Sequence, residues 1–146
     1  GMHNIIRKLR PGALDNLGLS ETIIDTVSTW ERQHKNLKFS LKIKGDINDL
    51  GEAININIYR IIQESMNNSL KHAKASEIII DLCLLQKGLK LEFSDNGVGF
   101  DKKILKNSKQ FGLIGIKERV QSLKGTFELQ TSLSKGVRLI ILIPKR

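Results

Sequence analysis

The sequence predicts an α/β two-layer sandwich, a mostly antiparallel mixed sheet covered on one face by helices, and three observations point to it. Residues 48–73 repeat their apolar positions at helical spacing. Two pairs of short segments, within 77–94 and 126–143, alternate apolar and polar residues across tight turns. Helical and strand patterns also interleave along the chain, and hairpins separated by helices bury one sheet face under a helical layer. At 146 residues, 40% of them hydrophobic and 27% charged, the chain is long enough for one core.

The elements follow in order. Ile5 to Leu9 ends a helix that Arg10-Pro11-Gly12 is expected to break, leaving a linker. Ser20 is the expected N-cap of a helix to about Lys35, with Ile23, Ile24, Val27 and Trp30 on one stripe. Leu37, Phe39, Leu41 and Ile43 alternate with polar neighbours, which predicts a half-buried strand ending at Gly45-Asp46. From Asn48 to Ala73 a long helix carries Leu50, Ile54, Ile58, Ile61, Ile62, Met66 and Leu70.

Glu77 to Leu85 and Leu89 to Ser94 form a hairpin about Gln86-Lys87-Gly88. Asp95 to Gly112 is polar and is expected to be a loop with one short helical turn near Ile104. Leu113 to Lys124 is the next helix, and Gly125 is placed as its left-handed terminator. Thr126 to Thr131 and Gly136 to Ile143 close the chain as a second hairpin, stopped by Pro144.

The charge of +9 attracts polyphosphates, nucleic acid or anionic lipid alike. The lysines are dispersed and only 5% of residues are aromatic, so stacking platforms are scarce and no nucleic-acid partner is expected. No apolar run approaches the roughly 20 residues of a spanning helix. The single cysteine, Cys83, sits in an apolar run as a core thiol, which excludes a disulfide or zinc framework and suits a reducing cytoplasm. Gly1-Met2 looks like a cloning scar on a piece of a longer protein.

Three motifs carry chemistry. Glu64, Asn68, Lys71 and His72 fall on one face of the long helix, offering an acid-base group, an oxygen for a hard cation and positive charge for phosphates. Asp95-Asn96-Gly97-Val98-Gly99 ends a strand with a carboxylate acceptor and two glycines that admit a flat ligand. Gly112-Leu113-Ile114-Gly115 opens a helix whose free amides and positive dipole end suit a phosphate. Each pattern alone also describes an ordinary helix face, turn or helix start.

In this order, Glu64-x-x-x-Asn68-x-x-Lys71-His72, Asp95-x-Gly97-x-Gly99 and Gly112-Leu113-x-Gly115-Ile116-x-Glu118-Arg119 resemble the N, G1 and G2 boxes of the GHKL ATPase superfamily. The match is closest to the nitrate/nitrite-sensor-like subgroup of histidine kinases. Leu9-Arg10-Pro11-x-x-Leu14-Asp15-x-Leu17-Gly18-Leu19 resembles that subgroup's link from dimerisation helices to ATP domain. The resemblance implies a Bergerat fold, with residues 1–19 as helix end and linker and 20–146 as the ATP-binding domain.

It further implies that Asn68 coordinates magnesium, Glu64 orients or deprotonates the attacking group, and Asp95 reads adenine. Lys71 and His72 lie near the phosphates, and Gly97, Gly99, Gly112, Leu113 and Gly115 cradle the nucleotide under a lid at 101–111. ATP and Mg²⁺ are the implied cofactors. The implied partners are a phosphoacceptor domain of the same, homodimeric parent and a response regulator, while the isolated domain is monomeric.

Two departures stand out. Gly136-Val137 replaces the usual Gly-Thr pair, and none of His3-Asn4, His34-Lys35 or His72-Ala73 has the acidic neighbour of a phosphoacceptor, so the fragment is expected not to label itself. The alternatives are another GHKL ATPase that hydrolyses ATP, and a non-catalytic basic binding module.

Overall fold

The computed structural model describes residues 11–98, 113–131 and 135–145. Its elements are α1 (Pro11–Gln33), β1 (Lys38–Lys44), α2 (Glu52–Asn68) continued by a π-helical turn (Ser69–Ala73), β2 (Glu77–Leu85), β3 (Gly88–Asp95), α3 (Leu113–Ser122), β4 (Thr126–Thr131) and β5 (Val137–Pro144). The sheet order is β1-β2-β3-β5-β4. β1 and β2 are parallel and every other pair is antiparallel. A parallel pair needs a crossover, and here that crossover is α2, which fixes the long helix against the sheet.

Alternation along each strand becomes continuous rows across the sheet. Leu41, Ile80, Phe93, Leu139 and Leu129 are register partners in turn, and so are Ile43, Leu82, Leu91, Ile141 and Phe127. These rows meet Ile54, Ile58, Ile61, Ile62 and Met66 of α2 and Ile116 and Val120 of α3 in one core. The opposite face carries Lys42, Asp81, Glu92, Ile140 and Glu128 in one row. There the Lys90 ammonium bonded to Glu92 holds that carboxyl below the ordinary carboxylate range, with Arg138 adding to it. α1 joins the core through Trp30, whose ring stacks on Phe39 at 6.3 Å. The Thr26 and Tyr59 hydroxyls meet at 3.0 Å, and burial pushes the Tyr59 phenol up.

Three local expectations change. Pro11 does not open a linker but lies within α1 (Pro11–Gln33). The interruption comes instead at Gly18, with φ 80° and ψ 163°. Ser20 is therefore not an N-cap; its backbone N–H donates to Oδ1 of Asn48 at 3.0 Å, so a residue 28 positions away caps the helix in trans. A Cβ on Gly18 would stand 2.9 Å from that same Asn48 oxygen.

At the end of α3 the left-handed residue is Lys124, with φ 58°, and not Gly125. Gly125 N–H bonds to the Val120 carbonyl and Lys124 N–H to that of Gln121, both at 2.9 Å. This is a Schellman closure with lysine in the usual glycine position. Gly125 is glycine for a different reason: a Cβ there would lie 2.5 Å from the Leu142 carbonyl oxygen.

Candidate functional site

The long helix changes character where the chemistry begins. α2 is regular to Asn68, then widens into the π-turn Ser69–Ala73 and stops at Lys74 with φ 50°. Such one-turn π segments recur at functional sites because they rotate the following side chains out of helical phase. Asn68 is half-buried and its side chain has no hydrogen-bond partner among the described residues, which leaves an amide oxygen for an outside group. Lys71 is exposed on the π-turn. The His72 side chain lies outside the described part.

Asp95, 9% exposed at the tip of β3, is held on both oxygens. Ser69 Oγ donates to Oδ2 at 2.7 Å and Gly97 N–H donates to Oδ1 at 2.9 Å. The tip is itself fastened: Asn96 Oδ1 accepts the N–H groups of Ser76 and Glu77, each at 2.9 Å, and its amide donates to Ser76 Oγ. Gly136, at φ 75°, lets β5 begin against this tip, since a Cβ would come 2.2 Å from the Asp95 carbonyl oxygen. Asn68, Ser69, Asp95, Leu113 and Val137 then line one narrow cleft of about 10 Å³, space for a single water molecule.

Glu64 lies one turn before Asn68, and across from it stands α3. Arg119 Nε donates to Glu64 Oε1 at 3.2 Å, and Arg119 Nη1 donates to Asn57 Oδ1 at 3.2 Å. Glu64 Oε2 is buried with no partner among the described residues. A Cβ on Gly115 would approach that oxygen to 3.2 Å, so the glycine in the first turn of α3 leaves space at the carboxylate.

The structure thus brings Asn68, Asp95 and Leu113 into one cleft, with Glu64 facing Gly115 one turn away along the same two helices. Gly99, Gly112, the lid at 101–111 and the turn near Ile104 lie outside the described residues. Sequence reasoning missed Ser69, Asn57 and the partner of Arg119. Asn57 sits seven residues before Glu64 on the same helical face, a signal that was available. No local pattern announces that Ser69 meets Asp95.

Among the described residues no group of three or more His, Cys, Asp or Glu could hold a metal ion, and no helix is long and apolar enough to cross a membrane. Residues 53–146 match the family model of the histidine kinase-, DNA gyrase B-, and HSP90-like ATPases, more than half of the chain. The chain belongs to this ATPase family. The match begins at α2 and so includes every residue of the site.

Among curated members, the histidine-protein kinase/phosphatase DegS of Brevibacillus brevis is 37% identical over 143 residues, 98% of this chain and 36% of the relative. The sensor histidine kinase ComP of Bacillus subtilis is 36% identical over 134 residues, 90% of this chain and 17% of the relative. The chain therefore spans about a third or less of these relatives. The oxygen sensor kinase NreB of Staphylococcus carnosus, 27% identical over 146 residues, is in the same set, in keeping with the subgroup that the motifs resemble.

Solved structures agree in fold. The histidine kinase domain of the Erythrobacter litoralis blue-light activated histidine kinase superposes with a TM-score of 0.69 at 18% identity, covering 87% of this chain and 65% of that one. The ATP binding domain of PrrB from Mycobacterium tuberculosis gives 0.66 at 20% identity, covering 82% and 88%.

Proposed function

We propose that this chain is the ATP-binding catalytic domain of a sensor histidine kinase. It holds Mg-ATP and presents the γ-phosphoryl group to a histidine on a dimerisation domain of the parent protein, for relay to a response regulator. The observation that carries the reading is a cleft between α2 and the sheet. There an aspartate with neutral donors on both oxygens shares the lining with an asparagine whose side chain has no hydrogen-bond partner among the described residues and with the first residue of α3.

Asp95 retains acceptor capacity beyond its two bonds, and an adenine amino group is a matching donor. Gly97, Gly99, Gly112 and Gly115 are assigned to close backbone approach, the start of α3 and Lys71 to positive potential for the phosphate tail, and His72 to a further polar contact with it. Asn68 fits a magnesium ion of the kind that keeps most of its ligands as phosphate oxygens and water. When bound there, such an ion would neutralise charge on the phosphates. Glu64 orients the attacking imidazole or takes up its proton.

Residues 1–19 lead in from the dimerisation helix, and the backbone break at Gly18 supports a boundary there. The domain works in the cytoplasm, the parent is a homodimer, and the isolated domain is a monomer. Calorimetry with ADP and a non-hydrolysable ATP analogue, with and without magnesium, tests the proposal. Binding is expected, with Asn68→Ala losing only the magnesium-dependent part. Absence of nucleotide binding, or stable phosphate incorporation by the isolated chain, would contradict it.

A further inference from the structure

A carboxylate beside a polyphosphate is an electrostatic conflict, and in this molecule it has a visible resolution. Glu64 faces the first turn of α3, the turn that the reading above assigns to phosphate, and a Cβ added at Gly115 would stand 3.2 Å from Oε2. One unit charge within several ångströms of another, at the effective dielectric of a protein surface, changes affinity by roughly ten- to a hundredfold. An uncompensated Glu64 would therefore repel the tail that the site must hold.

Arg119 removes that charge. Its guanidinium bridges Glu64 Oε1 and Asn57 Oδ1 at 3.2 Å each, two acceptors on one face of α2, so its fork is held at two points. The Arg119 and Glu64 side chains are 33% and 31% exposed, which keeps the pair partly shielded from water and salt. The bridge uses Oε1 and leaves Oε2 buried and without a partner among the described residues. Lys71, the other nearby cation of the motif, is exposed and makes no ion pair among the described residues.

We infer that Arg119 is a positioning residue which neutralises Glu64 beside the phosphate subsite and fixes which carboxylate oxygen is free, so that a proton acceptor and a polyphosphate can occupy adjacent space. The inference rests on the nucleotide-binding reading, and it differs from direct phosphate contact by Arg119.

The test is a double-mutant cycle on the full 146-residue chain. Adenosine affinity is followed by NMR titration and ADP affinity by calorimetry, for wild type, Arg119→Gln, Glu64→Gln and the double variant. Arg119→Gln is expected to weaken ADP about ten- to a hundredfold while adenosine stays within about twofold. Adding Glu64→Gln is expected to restore ADP to within about threefold of wild type, because the stranded charge is gone. An equal loss for adenosine would make Arg119 merely structural. An unrestored double variant would mean that Arg119 touches phosphate itself, and an unchanged ADP affinity would mean that the charge does not matter; each of these three overturns the inference. A wild-type chain that binds neither ligand would bring down the nucleotide reading itself, and this inference with it.

Discussion

The site holds two carboxylates in opposite ways. Asp95 is nearly buried and takes a neutral donor on each oxygen, whereas Glu64 gives one oxygen to a cation and leaves the other buried without a partner among the described residues. Neutral donors orient a carboxylate without cancelling its charge, which suits a fixed acceptor that reads a base. A guanidinium cancels the charge and orients it too, which suits an acid-base group that must tolerate phosphates nearby. In the proposed reading, recognition and chemistry are separated along one helix: Ser69 bonds to the first carboxylate, and Asn57 shares Arg119 with the second.

The contrast can be broken most directly at Asp95. Asp95→Asn keeps a carbonyl for Gly97 N–H but loses the charged acceptor, and ADP affinity is expected to fall about ten- to a hundredfold by calorimetry, in line with roughly 1.5–3 kcal/mol for a bond to a charged group. Glu64→Gln should leave affinity within about threefold, or raise it, since it removes a charge near the phosphates. Equal losses in the two variants would erase the distinction.

Ser69→Ala sharpens the same end. It removes one neutral donor from Asp95, so a loss of about 1 kcal/mol, near fivefold in affinity for both adenosine and ADP, is expected in the same titrations. Gly115→Ala probes the other end, because the added methyl crowds Glu64 Oε2. ADP binding should weaken about two- to threefold, under 1 kcal/mol, with adenosine unaffected. A deficit shared by adenosine would show that the helix had shifted as a whole.

The smallest effect is expected away from both carboxylates. Lys124→Gly relieves a left-handed lysine and should raise stability in urea unfolding by about 0.5–1 kcal/mol, with nucleotide affinity unchanged. Gly125→Ala should do the reverse, because its methyl meets the Leu142 carbonyl.

Much of this molecule was legible along the chain. The alternation in 37–44, 77–94 and 126–143 appears as β1 through β5 with ends shifted by a residue or so, and the Ile54 to Met66 stripe is the buried face of α2. The motif residues Asn68, Asp95 and Leu113 do share a cleft. Where the local reading failed, it assigned a local cause to a distant one. Ser20 has the right chemistry for a cap, but Asn48 supplies the cap, and Gly125 has the right residue type for a left-handed turn, but Lys124 adopts it while Gly125 makes room for β5.

Periodicity, turn chemistry and motif order are properties of neighbouring residues, so the sequence by itself determined the elements, the helix-on-sheet layering and the set of chemical groups. The tertiary structure alone decided the pairings. Ser69 reaches Asp95 across 26 residues and Arg119 reaches Glu64 across 55, joined only because α2 crosses over the sheet and α3 packs beside it. Which oxygen of each carboxylate is occupied, and whether its charge is cancelled, depends on that packing, because a hydrogen bond needs its partners within about 3 Å and no local pattern encodes such a distance.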